Sequence, residues 1–131
     1  MKVILINPNS TEAMTLSSIE TAQKVAPDIH FEGWTSFDGP SSIQGPEDGD
    51  YATKPLLDLI EKENREEPYG IIISCVDDTG LRQAREIDVS PVLGVGEASI
   101  VFSVRHAGES AIVTTVDVTV TVLETTSQNS R

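Results

Sequence analysis

The sequence predicts an α/β fold, a flavodoxin-like parallel sheet with helices on both faces. Two observations carry that expectation: strand-type apolar runs alternate with helix-type segments, and the middle run, "YGIIIS" (69–74), is apolar without alternation. A strand of that kind suits the centre of a parallel sheet covered on both sides, and strand–helix alternation builds such a sheet through right-handed crossovers.

The elements follow in chain order. Lys2 to Ile6 is a short apolar strand, and Glu12 to Val25 spaces Met14, Leu16, Ile19, Ala22 and Val25 at roughly helical intervals, with Ser10 or Thr11 as candidate cap. Ile29 to Trp34 alternates and predicts a second strand. The fifteen residues "SFDGPSSIQGPEDGD" (36–50) are dense in Gly, Pro, Ser and Asp, so they are expected to be loop. Helical spacing resumes from Tyr51 to Glu63 through Leu56, Leu57 and Ile60, and the strand "YGIIIS" follows. A helix from Thr79 to Ile87 with Asp78 or Thr79 as cap, a fourth strand in "VSPVLGV" (89–95), a helix from Glu97 to His106 and a fifth strand in "SAIVTT" (110–115) complete the expected series. Val3, Leu5, Ile71, Ile73, Val92 and Ile112 are the expected sheet core. In the tail, Val116, Val118, Val120 and Val122 alternate with polar residues, which predicts a strand, or a helix imposed by packing, with order ending at about Ser127.

Composition bounds the partners. The 131 residues suit one ordinary domain, and 38% hydrophobic content is enough for a single core. A formal net charge of −12 opposes binding to nucleic acid or to an anionic membrane surface. No apolar run approaches the ~20 residues of a membrane span, and Met1-Lys2 leads directly into a strand, so a cytoplasmic protein is expected. The lone cysteine, Cys75, excludes an internal disulfide.

Ligands of open parallel sheets gather beyond the carboxyl ends of the strands. The residues expected there are Asn7 to Thr11, Gly39 to Ile43, Ser74 to Gly80, Gly94 to Glu97, and Thr114-Thr115, a set of small hydroxyl, amide and glycine groups that includes none of the nine Lys and Arg residues. Such a site favours a weakly charged, hydrogen-bonding small molecule bound through neutral donors and helix N-termini. Cys75 stands one residue past the third strand and shortly before a helix, where backbone amides favour a thiolate, while Asp77 and Asp78 oppose its ionisation. A small cysteine merely closing the strand is equally consistent with that position. A phosphoacceptor receiver is excluded because amides, a cysteine and threonines stand where its acidic residues and lysine belong. A dinucleotide-binding turn is excluded because "NPNST" has no glycine.

Three motifs together resemble a known family. "INPNST" with Met14-Thr15 downstream, "SCVDDTGL" followed by "AREI", and "PVLGVGEAS" before "AIVTT" are similar to the hydantoin racemase branch of the aspartate/glutamate racemase superfamily, which includes allantoin racemases. "GPSSIQGPEDGD" resembles that branch's loop after the second strand, so the likeness covers residues 1–115 as one racemase-like lobe, with 116–131 as a divergent tail. The resemblance implies one lobe of a two-lobe fold and a racemase of amino-acid derivatives that works without metal or organic cofactor. In that chemistry two cysteines flank an acidic carbon next to a carbonyl, one removing a proton while the other supplies one.

By the same resemblance Cys75 is the first-lobe catalytic cysteine. Asn9, Ser10, Pro40 and Ile43 would contact or cover substrate, Val76 and Asp77 would offer backbone donors beside the thiol, and Thr114 and Thr115 would add hydroxyl contacts. Glu97 is expected to cap or brace. Family members are usually nearly twice this long, and their second cysteine comes from a segment with no counterpart here. The implied partner is a small molecule, a hydantoin, allantoin or related compound, and a lobe without its second half is expected to form homo-oligomers through exposed apolar surface. The readings that compete with a truncated racemase are a non-catalytic small-molecule or partner-binding remnant and a one-cysteine decarboxylase or isomerase of the same superfamily.

Overall fold

A computed structural model describes residues 1–63, 68–87, 90–107, 111–114 and 117–129. Its elements are β1 (Lys2–Asn7), α1 (Glu12–Val25), β2 (His30–Thr35), α2 (Pro46–Glu63), β3 (Gly70–Ile73), α3 (Leu81–Ile87), β4 (Val92–Gly94), α4 (Val95–Ala107) and α5 (Val118–Asn129). The four strands lie in the order β2-β1-β3-β4, all parallel, with Leu5 paired to both Gly33 and Ile72 and with Ile71 paired to Val92.

Strand alternation assigns the two faces. Ile4, Ile6, Ile71, Ile73 and Val92 point to one side, where they pack with Leu56 and Ile60 of α2 and Leu81 and Ala84 of α3. Val3, Leu5 and Gly33 point to the other, which α1 covers so closely that a methyl group on Gly33 would stand 2.9 Å from Thr15 Cγ2. That glycine is required by close packing of helix on strand. The expected helix layers on both faces are therefore present.

Three expectations are corrected. The loop after β2 ends at Gly45, because Pro46 opens α2 in the first helical turn with Glu47 and Asp48, and Asp48 Oδ2 reaches back to accept from the Gln44 amide at 3.0 Å. Proline at the first helical position followed by acidic residues is a helix start as well as a loop signature. The segment "SAIVTT" adds no fifth strand among the described residues. Residues 111–114 run outside the ladder, and Ile112 is 50% exposed while the other five expected core residues are buried. Residues of strand type make a strand possible, but pairing requires a neighbouring edge at the right register, and β4 offers only three residues. Finally, the tail takes the helical alternative as α5, which runs to Asn129, past the expected end of order at Ser127. Val118 lies against Gly45, leaving a methyl group there only 3.2 Å from Val118 Cγ1. No helix among the described residues is long and apolar enough to cross a membrane.

Candidate active site

The turn after β1 folds on its own amides. Asn7 and Asn9 are buried, and Asn9 Oδ1 accepts from the Thr11 amide at 2.9 Å and from Asn7 Nδ2 at 3.0 Å, while Asn7 Oδ1 accepts from the Asn9 amide at 3.2 Å. Short amide side chains serve here as substitutes for backbone partners. Thr11 occupies the N-cap position of α1, yet its hydroxyl donates to the Ser41 carbonyl at 2.7 Å instead of capping the helix. The Ser10 amide donates to the Pro40 carbonyl at 2.8 Å. The loops after β1 and β2 are thus zipped together, and Gly39 permits their approach, since a methyl group there would sit 2.5 Å from the Pro8 carbonyl oxygen.

Cys75 stands two residues beyond β3, half-buried against the α2/α3 core. Its sulfur lies 3.6 Å from Thr79 Oγ1. Burial pushes the thiol pKa up; the Thr79 hydroxyl and the Asp77 and Thr79 amides pull it back, and the Asp77 carboxylate adds to the rise. The expectation of a thiolate favoured by a helix N-terminus is reversed, because desolvation of the sulfur outweighs the donors. Asp77 is itself held above the usual carboxylate range by burial.

Asp78 was expected beside Cys75 as a like charge or as the cap of α3. Its carboxylate caps a different helix, accepting from the Gly96 amide at 2.9 Å through Oδ1 and from the Glu97 amide at 2.6 Å through Oδ2. Burial raises its pKa and these two amides oppose the rise. The residue adopts φ 51°, a left-handed conformation rare for side chains other than Asn and Asp. Gly94 and Gly96 make room for it. A methyl group on Gly94 would lie 2.6 Å from Asp78 Cγ, and one on Gly96 would meet the Val76 carbonyl oxygen first and then Asp78 Oδ2 at 2.9 Å. Glu97 braces the same helix start through a two-pronged pair with Arg85 at 2.9 and 3.0 Å, and Arg85 Nε also donates to the Val92 carbonyl. The pairing holds Glu97 below the usual carboxylate range and Arg85 above its ordinary value.

The structure joins these loops in two groups. Asn9, Ser10 and Pro40 belong to the zipped β1 and β2 loops, with the half-buried Ile43 three residues beyond Pro40; Cys75, the exposed Val76, and Asp77 belong to the turn tied to α4. The Ser74 hydroxyl, 3.0 Å from that of Ser18, and the Ser74 amide, which donates to Ile6, connect β3 to α1 and β1. Thr114 is drawn to α5, where its hydroxyl pairs with that of Thr119. Thr115 lies outside the described residues. A cavity of about 880 Å³ between α2, α3 and α5 reaches Asp77 and Thr79 but is not lined by Cys75. Sequence reasoning missed Thr79 as the hydroxyl on the sulfur and Asp78 as the anchor of α4. The spacing Gly94-x-Gly96 was the signal for the latter, a stretch where side chains would exclude an incoming carboxylate. Among the described residues no group of His, Cys, Asp and Glu is placed to hold a metal ion.

Comparison with known proteins fits this geometry. The family model of Asp/Glu/hydantoin racemases matches residues 3–129. A hydantoin racemase of Rhizobium meliloti is 31% identical over 125 residues, 95% of this chain and 52% of that protein. One from Paenarthrobacter aurescens is 36% identical over 115 residues, 86% of this chain and 49% of the relative. Among solved structures, allantoin racemase from Klebsiella pneumoniae superposes with a TM-score of 0.91 at 29% identity, over 99% of this chain and 54% of that one. Allantoin racemase from Pseudomonas fluorescens gives 0.89 at 24% identity, over 95% and 53%, a likeness of fold. The chain spans about half the length of the relatives it matches. With a four-stranded parallel lobe and a matching sequence along nearly its whole length, the chain belongs to the Asp/Glu/hydantoin racemase family.

Proposed function

We propose that this chain is one lobe of a cofactor-independent racemase of hydantoins, allantoin or related compounds, in which Cys75 transfers the proton at the carbon next to a carbonyl. The observation that carries the reading is the placement of Cys75: past a central parallel strand, with the Thr79 hydroxyl 3.6 Å from its sulfur, in a chain whose relatives are hydantoin racemases.

As a base, the Cys75 thiolate takes the proton, so the carbon–hydrogen bond breaks, the sulfur–hydrogen bond forms, and the electron pair moves onto the carbonyl oxygen. Hydrogen-bond donors at the strand ends would stabilise that oxygen, as an enolate-like transition state requires. As an acid, the thiol returns the proton to the same face. Burial raises the thiol pKa, so the resting group is the protonated form, ready to act as the acid for one enantiomer. Inversion needs a second group on the opposite face, and that group is not a second cysteine of these 131 residues. Asn9, Ser10, Pro40, Ile43, Val76, Asp77, Thr114 and Thr115 are the proposed substrate contacts. Asn9 contributes chiefly by shaping its turn, since both side-chain ends already have partners.

The test is substrate protection. A saturating 5-substituted hydantoin or allantoin should slow alkylation of Cys75 by iodoacetamide, and an unchanged rate for every compound would sink the proposed site.

A further inference from the structure

We infer that Asp78 is a positioning residue for Cys75: by holding the N-terminus of α4 with its carboxylate, it fixes the left-handed turn that keeps the Thr79 hydroxyl on the sulfur. The inference rests on the reading of Cys75 as the proton-transferring group, but its test measures thiol ionisation and not turnover.

The turn from Cys75 to Leu81 is a short chain of local bonds. The Asp78 amide donates to the Cys75 carbonyl at 3.0 Å, and the Leu81 amide donates to the Asp78 carbonyl at 3.0 Å. Between those bonds Asp78 takes φ 51° and Gly80 takes φ 70°. Two positive-φ residues so close together curl successive amides toward one side, the geometry by which backbone donors form a concavity for an anion. The group at that turn is the Cys75 sulfur, which becomes the anion on deprotonation; Thr79 Oγ1 lies 3.6 Å from it, and the Asp77 and Thr79 amides lower its pKa against the rise from burial.

A left-handed aspartate costs conformational energy and persists where its surroundings hold it. The hold is the pair of bonds to Gly96 and Glu97, 18 and 19 residues away in sequence. They also occupy the amides of α4, so that helix's positive end acts on Asp78 and not on the thiol. Asp77 is the charged side chain acting on the sulfur directly, raising its pKa; Arg85 and Glu97 act on Asp78. Asp78 therefore reaches Cys75 through the backbone.

Charge and position make opposite predictions for removing Asp78. If its negative charge were what mattered, removal would ease ionisation of Cys75. If it positions the donors, removal makes ionisation harder. Asp78→Asn and Asp78→Gly both tolerate positive φ, so they test the carboxylate without penalising the backbone. The readout is the rate of iodoacetamide alkylation of Cys75 across pH, with circular dichroism confirming the fold and Glu97→Gln as the control that leaves both α4 amides in place. Positioning expects the rate at about pH 8 to fall about threefold or more in both variants and the midpoint of the profile to move up. The control should keep the parent profile. Gly94→Ala attacks the same carboxylate from the end of β4, where its methyl group would meet Asp78 first, and should shift the profile in the same direction if the Asp78 variants do not fold. An unchanged or lowered midpoint in any folded variant of Asp78 overturns the inference.

Discussion

Alanine at Gly94 would drive a methyl group into Asp78, inside contact distance of Oδ1, 2.6 Å from Cγ and 2.8 Å from Leu81 Cδ2. The end of β4 is fixed by its pairing with β3, so the carboxylate must move away and release the Gly96 and Glu97 amides. Each charge-assisted bond is worth ~1.5–3 kcal/mol net, and because Asp78 is only half-buried the lower figure applies to each, giving ~3 kcal/mol together. Against a typical stability of ~5–15 kcal/mol that is a large loss. Urea denaturation followed by Trp34 fluorescence should show a midpoint lowered by ~1.5 M for an m-value of ~2 kcal/mol/M. The same substitution in an Asp78→Gly background should cost ~1 kcal/mol or less, because the carboxylate it displaces is gone and the Leu81 methyl can turn aside. A coupling energy of ~2 kcal/mol or more is thus expected from the double-mutant cycle. Additive losses would refute the view that Gly94 exists to admit Asp78.

Other perturbations separate core, charge and thiol. Ile73→Ala, at a fully buried position, should cost ~2–5 kcal/mol in urea denaturation, whereas Ile112→Ala should stay within ~0.5 kcal/mol; equal losses would restore Ile112 to the core. Because the folded-state pKa of Cys75 is raised, the stability tied to its protonated form is complete below the unfolded value and is lost as pH rises through the folded one. Melting temperature should therefore fall above about pH 8.5 in the parent chain and fall less in Cys75→Ala, and parallel profiles would contradict the buried thiol. For Glu97 the sign is opposite. Its folded pKa is lowered, so the contribution is present above the unfolded value and is lost as pH falls through the folded one. The partly exposed pair with Arg85 should show a coupling of ~0.5–1 kcal/mol in a double-mutant cycle, and a value several times larger would mean that the pair is more desolvated than its exposure indicates.

Local signals made most of the sheet legible in the sequence. β1, α1 and β2 follow from apolar runs and helical spacing within a few residues of their observed ends, and the unbroken "GIII" of β3 reads as a covered parallel strand. The failures occur where local pattern and tertiary partner disagree. "GPEDGD" carries loop composition, yet proline at the first helical position and a reach-back carboxylate make it the start of α2. "SAIVTT" has strand propensity, but the sheet edge formed by β4 is only three residues long. For the candidate site, the position of Cys75 at a strand end could be read directly, but its ionisation could not, since that depends on the burial supplied by α2 and α3. Asp78 shows the limit most clearly. Sequence proximity tied it to Cys75 and to α3, while the bonds it makes go to α4, and a contact across 18 residues leaves no local trace beyond two glycines.

The central claim, proton transfer by Cys75 at a carbon next to a carbonyl, is tested most directly by deuterium wash-in. An enantiopure 5-substituted hydantoin in D₂O is followed by proton NMR for loss of the stereocentre hydrogen and by polarimetry for loss of rotation, with the parent chain, Cys75→Ala and buffer alone. A single positioned thiol serving one face should exchange that hydrogen faster than buffer and faster than rotation is lost, because no second thiol among these 131 residues stands as general acid on the opposite face, a contribution of typically ~10²–10⁴-fold in rate. The exchange should disappear in Cys75→Ala. Wash-in by the parent chain no faster than by Cys75→Ala would contradict the account.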